Sequence, residues 1–364
     1  MMRLSLAILF GAALAVPAGA QINENLPVDQ GPSLHRPGSL LIYPVIDVAS
    51  ATDTIVCVTN VNKDDRFVQN TNIKYGAVTA RFFYVILFPS GCTIFDDSVD
   101  LTPGDTFAVS VRTHLGLQGD IKGWLYVIAA DIEGGGAIDF DDELSGAQTE
   151  FSGLIGEEMV VQGAPHMYLY ALPALSFKAV SDDARRNRQG YDFTDENNDG
   201  EADFDGDEEY QKFPKVLSQP TFLEQSLNNS ALQDELVLFT PIFQVGNRID
   251  LNSFWYNNNE DARSRTFSFT CWTRLRIRNI SSYTQNLGGI PTEAATGWFW
   301  IDPYQLARFG GYVADPPVHG AFIHQLNPGQ TQYWASVLLH QEGEVNPIPP
   351  NLLPNRGNGL PNGN

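Results

Sequence analysis

Short apolar runs of β type recur about every ten to fifteen residues from Ser39 onward, each closed by Gly, Pro, Asn or Asp. They read "SLLIYPVIDV", "DTIVCVTNV", "AVTARFFYVILF", "TIFDDSVDL", "DTFAVSVRT" and "GWLYVIAADI". Such spacing leaves no room for the crossover helices that parallel strands require, so it predicts antiparallel sheets packed face to face as a sandwich. "LTPGD" around Pro103 and Gly104 predicts a tight turn, because proline presets φ and glycine accepts a positive one. "EGGGA" at Glu133 to Ala137 predicts another. "FSGLIGEEMVV" and "HMYLYALPALSFKAV" supply the last apolar segments before Ser181.

Residues 181–211 carry almost no apolar side chains and separate two apolar, aromatic-rich regions. A second β-like block follows in "ELVLFTPIFQV", "RIDLNSFWYN", "RTFSFTCWTRLRIRNI", "GWFWIDP" and "TQYWASVLLH". The expected fold is all-β: two β-sandwich-like antiparallel domains, residues 39–180 and 212–345, joined by an acidic loop at 181–211. The halves echo each other where "GWLYVI" resembles "GWFWI" and "LTPGDTFAVSV" resembles "LNPGQTQYWASV". The order of those pieces is reversed, and shared β grammar explains them more cheaply than duplication, so no repeat is inferred.

Arg3, the apolar run "LAILFGAALAV" and the small residues Ala18 to Ala20 form a secretion signal, with cleavage expected after Ala20. The run is too short for a membrane span, and none follows, so the mature chain is expected to be secreted or periplasmic with no transmembrane segment. Residues 21–38 read as a flexible leader and 346–364 as a disordered tail. Outside the cytoplasm Cys57, Cys92 and Cys271 are free to oxidise. Connectivity is not readable; Cys57 with Cys92 is favoured because both fall in one expected domain, with an inert buried Cys57 thiol as the alternative. With 43 acids against 22 bases the formal charge is −21, which argues against nucleic acid as a partner.

The succession "GSLLIYPVI", "TIVCVTNVN", "RFFYVILFPSGCTIFDDSVDLTPGDTF", "GWLYVIAADI", "SGLIGEE", "ELVLFTPIFQ" and "TGWFWI" resembles a family of secreted bacterial β-rich proteins, uncharacterised and with no assigned function. The resemblance covers roughly residues 38–325 and implies a β fold, with no catalytic residue or cofactor to carry over. Members place a second cysteine shortly after the one matching Cys92; here Val99 and Leu101 occupy that region.

Asp195, Asn197, Asp199, Gly200, Glu201 and Asp203, continued by Asp205 and Asp207, offer oxygens on alternate residues and a glycine where a chain turns around an ion. Calcium requires such a set, and calcium is the expected cofactor. The twelfth loop position is Gly206 where a helix-loop-helix hand needs glutamate, so a non-helical loop closed by Asp205 or Asp207 is the form expected; a solvated acidic linker is the alternative. The histidines His35, His114, His166, His319, His324 and His340 show no zinc spacing. No serine-nucleophile elbow or phosphate loop occurs. Of the carboxylate neighbours, Asp141 with Asp142 and Glu157 with Glu158, adjacent strand residues face opposite ways, so neither pair flanks one glycosidic bond, and solvated acids are expected.

Trp298 and Trp300, two apart in "GWFWIDP", share one strand face, and Phe299 takes the other. Either the indoles form a flat platform suited to a sugar, or they fill the core; the dominance of large aromatics in cores favours filling. The expectation for function is a non-catalytic secreted protein with a binding or structural role at or beyond the cell surface, its partner unknown. A carbohydrate-active protein, either a glycan-binding module or a glycoside hydrolase acting on polysaccharide, is the alternative.

Overall fold

A computed structural model of the chain describes residues 36–63, 76–130, 153–163, 167–178, 210–211, 213–214, 216–225, 232–241, 248–257, 262–280, 294–302, 318–326 and 333–342. The acidic stretch, the leader, the tail and the "EGGGA" turn lie outside them. The first half runs β1 (Leu40–Val48), β2 (Thr52–Asn60), β3 (Val78–Phe88), β4 (Gly91–Leu101), β5 (Thr106–Ser110), the short α1 (Val111–Leu115), β6 (Ile121–Ala130), β7 (Leu154–Gln162), β8 (Tyr168–Pro173) and β9 (Leu175–Phe177). The second half runs β10 (Val216–Gln225), β11 (Leu232–Phe239), β12 (Ile249–Asn257), β13 (Ala262–Phe269), β14 (Trp272–Arg276), α2 (Ile277–Ile280), β15 (Ala294–Asp302), β16 (His319–Leu326), β17 (Tyr333–Leu338) and β18 (His340–Glu342). All pairings between these strands are antiparallel, as the short connections dictate. Asp105 donates its backbone N–H to the Thr102 carbonyl at 3.0 Å across Pro103 and Gly104, whose φ is +84°, so the expected turn is present.

The strands form four sheets. Sheet I has the order β4-β3-β6-β1-β9 and sheet II β5-β2-β7-β8; sheet III has β13-β12-β15-β10-β18 and sheet IV β14-β11-β16-β17. Adding nine to each strand number of sheets I and II reproduces sheets III and IV, and α2 follows β14 as α1 follows β5. The halves are thus two copies of one topology, which corrects the inference of no repeat. "GWLYVI" and "GWFWI" occupy the equivalent strands β6 and β15, whereas the other echo joins strands that are not equivalent.

The equivalence holds residue by residue. The β1–β6 register shifts between Tyr43 and Ile46, around Pro44, and the β10–β15 register shifts between Gln219 and Phe222, around Pro220. Opposite each bulge sits a glycine, Gly123 or Gly297, where a Cβ would strike the carbonyl oxygen of Val85 or Tyr256 on the neighbouring strand. Backbone approach this close accepts only glycine, and proline is tolerated where the bulge removes the need for a ladder N–H. At the two glycines any side chain would collide with the neighbouring strand, so both halves keep glycine there.

Three apolar clusters fill the layers. Leu41, Tyr43, Phe82, Tyr84 and Leu125 of sheet I meet Val56 and Val58 of sheet II. Leu251, Trp255 and Phe299 of sheet III meet Leu236, Leu238 and Phe322 of sheet IV. The third cluster lies between the halves: Leu40, Phe83, Val85, Trp124 and Tyr126, on the other face of sheet I, meet Val237, Phe239, Ala321 and Ile323 of sheet IV, with Tyr170 and Leu172 of β8 alongside. Because sheet I is covered on both faces, every residue of β1 is buried. β2, covered on one face, alternates strictly between buried and half-buried.

Polar and covalent ties reinforce this contact. Trp272 donates its indole N–H to the Pro44 carbonyl at 2.9 Å, and Arg274 pairs with Asp47 at 2.5 Å and Glu235 at 2.6 Å. A disulfide joins Cys92 at the start of β4 to Cys271 before β14. The expected Cys57–Cys92 pairing is therefore corrected: Cys92 sits where sheet I meets the other half, and Cys57 remains a free thiol on β2.

Candidate functional site

The bulge at Pro220 and the close approach at Gly297 hold β15 centrally between β12 and β10. Strand alternation then sends Trp255 and Phe299 into the core, both 0% exposed, and turns their neighbours outward. Trp298 is opposite Tyr256 and Trp300 is opposite Phe254. The Tyr256 and Trp298 rings stack at 4.2 Å with an interplanar angle of 6°, and those of Phe254 and Trp300 at 4.1 Å and 16°. Trp298 is 39% exposed. The indoles are thus not core filling: Phe299 is the inward residue, and two cross-strand aromatic pairs make a ladder on the outer face of sheet III. "SFWYN" already carried the companions Phe254 and Tyr256 on alternate positions, a signal visible once Trp255 is taken as inward.

Such a ladder offers flat π faces with polar edges, suited to another flat apolar surface or to the C–H face of a sugar. The proposed calcium ligands Asp195, Asn197, Asp199, Glu201, Asp203, Asp205 and Asp207 lie outside the described residues, as do Asp141 and Asp142. Among the described residues, no group of three or more His, Cys, Asp or Glu side chains could hold a metal.

Other polar constellations are tied into the fold. Tyr84, wholly buried, bonds His114 Nδ1 at 2.7 Å, and His114 Nε2 meets Asp97 at 2.8 Å, which fastens α1 to β3 and β4. Burial, and then Asp97, push the Tyr84 hydroxyl above its ordinary value, so it stays a proton donor. Sequence spacing could not bring these three together. Glu157 and Glu158 do face opposite ways: Glu157 stands exposed on the outer face of β7, while Glu158 is wholly buried, correcting the expectation of a solvated acid. The Glu158 carboxyl accepts the Val45 N–H at 3.0 Å and 3.2 Å, at the β1 bulge, and burial holds its pKa well above the ordinary carboxylate range despite that bond. Burial works against the charge of Arg274, and Tyr170, Glu235 and Asp47 outweigh it, so the guanidinium stays ionised. Cys57 is raised by burial and then by Glu157, which makes it a poor nucleophile.

No protein-family model matches the chain, and no curated protein sequence matches it. Among solved structures it is similar to "Crystal Structure of Thermotoga maritima 1070", with 8% identity, 38% of this chain and 95% of that one covered, and a TM-score of 0.26. A second similarity is to a beta-glucuronidase from glycoside hydrolase family 2, with 9% identity, 85% of this chain but 25% of that one covered, and a TM-score of 0.14.

Proposed function

We propose that the chain is a non-catalytic protein with a binding or structural role at or beyond the cell surface, working through the outer faces of its sheets. The observation that carries this reading is the aromatic ladder of Phe254, Tyr256, Trp298 and Trp300, an arrangement of stacked apolar rings on the outer face of sheet III with Trp298 exposed to solvent. Secretion with cleavage near Ala20 belongs to the same reading. So do two β-sandwich domains at 39–180 and 212–345 and a calcium-stiffened segment carrying Asp195, Asn197 and Asp199. A glycan-binding role is the second reading, favoured by the parallel Tyr256 and Trp298 rings.

Retention on insoluble polysaccharides, with reducing-sugar release followed alongside, tests both readings. A contact-face protein releases no sugar, and the double change Trp298→Ala and Trp300→Ala removes any retention while leaving the thermal midpoint nearly unchanged. Sugar release would establish a hydrolase instead. For the acidic segment, millimolar calcium raises the melting temperature and the double change Asp195→Asn and Asp199→Asn removes that response; equal responses leave only an acidic linker.

A further inference from the structure

We propose that the chain associates head to tail with further copies of itself, the aromatic face of β12 and β15 in one copy docking on the outer face of β2, β7 and β8 in the next. The proposal rests on the reading of the aromatic ladder as a contact face and names its partner.

The chain already contains one example of this contact. The outer face of sheet I, with Phe83, Val85, Trp124 and Tyr126, docks on the outer face of sheet IV, with Val237, Phe239, Ala321 and Ile323, and all eight side chains are 0% exposed. Trp124 and Phe239 stack across it at 5.1 Å. The register of the repeat maps Phe83, Val85, Trp124 and Tyr126 onto Phe254, Tyr256, Trp298 and Trp300. Even the ring pair is kept, since Phe83 stacks on Tyr126 at 4.8 Å and 12° as Phe254 does on Trp300. The same register maps the sheet IV face onto sheet II, where Val237 becomes Cys57 and Ile323 becomes Met159.

Among the described residues each half therefore has one docked and one open face, and the two open faces are the counterparts of the two docked ones. Both have stayed apolar. Among the described residues the exposed large hydrophobics are Phe88, at a hairpin tip, and Ile155, Met167, Leu169 and Trp298. Ile155 and Leu169 belong to the outer face of sheet II and Met167 directly precedes β8, while Trp298 belongs to the outer face of sheet III. A monomer gains nothing by keeping apolar side chains on two separate faces. Because the contact joins unlike surfaces, each added copy leaves a free face at either end, and growth continues as an open filament unless the rotation per copy closes a ring.

The open pair lacks the locks of the internal one. In the open pair Thr106 replaces Trp272, Asp105 replaces Cys271 and Ala108 replaces Arg274, while the carboxylate of Glu157 stands where the docked face has Ala321. Association between copies is accordingly reversible where the internal contact is permanent.

Sedimentation velocity of the full chain over a micromolar concentration series tests this. Wild type lengthens with concentration. The double change Trp298→Ala and Trp300→Ala, or Met159→Asp alone, shifts the association midpoint upward by roughly tenfold or more. Glu157→Ala, which removes a charge that docking would bury, shifts it downward with the thermal midpoint unchanged. The decisive arm mixes the tryptophan and Met159 variants: each keeps one intact face, so the mixture stops at dimers. A wild type that stays monomeric overturns the proposal, as does association that survives loss of both indoles or a mixture that fails to pair. A monomeric wild type whose polysaccharide retention still depends on Trp298 and Trp300 overturns self-association alone; absence of both association and retention removes the contact-face reading as well.

Discussion

Two buried ionisable groups, Glu158 and His319, pull stability in opposite directions. Burial raises Glu158, so the unfolded chain ionises first, near 4.5, and stability declines as pH rises from there toward the folded value. Burial lowers His319 to about 3, against a bond with the Gly320 backbone, so the unfolded chain takes up its proton first, near 6.5, and stability declines as pH falls from there. Each slope is roughly 1.4 kcal/mol per pH unit where the two states differ by a full proton. Between about 4.5 and 6.5 they oppose each other. Glu158→Gln keeps an acceptor for the Val45 N–H and removes one slope, so its stability climbs with pH across this window more steeply than that of wild type. Urea unfolding at several pH values measures the difference; identical slopes would mean that Glu158 titrates in the fold as it does in water. Neither group was legible as buried in the sequence, since only the partner sheets decide which of Glu157 and Glu158 turns inward.

Strands were the most legible elements, and their faces the least. β2 alternates because one face meets Leu41, Tyr43 and their neighbours and the other meets solvent, and that period of two is what its sequence shows. "LLIYPVIDV" shows no alternation because β1 lies between two cores, a fact that belongs to the packing of the halves and not to the strand. "GWFWIDP" is apolar on both faces, so Trp298 and Trp300 could be assigned to one side but not to the outer one. The duplication is hard to read in the sequence because identity survives at few positions, among them Pro44 and Pro220 at the bulges and Gly123 and Gly297, where close backbone approach admits no side chain. These glycines supply a test at the same scale. Gly297→Ala forces a Cβ against the Tyr256 carbonyl in a central strand that cannot retreat, and it costs about 1–3 kcal/mol in denaturant unfolding, as does Gly123→Ala at Val85. An unchanged midpoint in both would mean that the strands do not approach this closely.

For the whole molecule, the contact between sheets I and IV makes one body of two similar halves, with Arg274 bridging Asp47 and Glu235 inside it and the disulfide at its edge. No pattern in the sequence could pair Cys92 with Cys271, because their meeting depends on which face of sheet I receives the second half. Their separation of 179 residues has a mechanical meaning. A load applied to the two ends of the chain unravels the strands before Cys92 and after Cys271 and then meets the disulfide, so everything between the cysteines is shielded from extension. At about 3.4 Å per extended residue, roughly 600 Å of chain stays coiled behind that one bond. Pulled by its ends in a force spectrometer, the oxidised chain should fall short of the reduced one by about that length; equal extensions would show that the bond bears no load. Anchored by its two ends, the oxidised chain is thus a short tether whose middle cannot extend, and reduction would turn it into a long, yielding one.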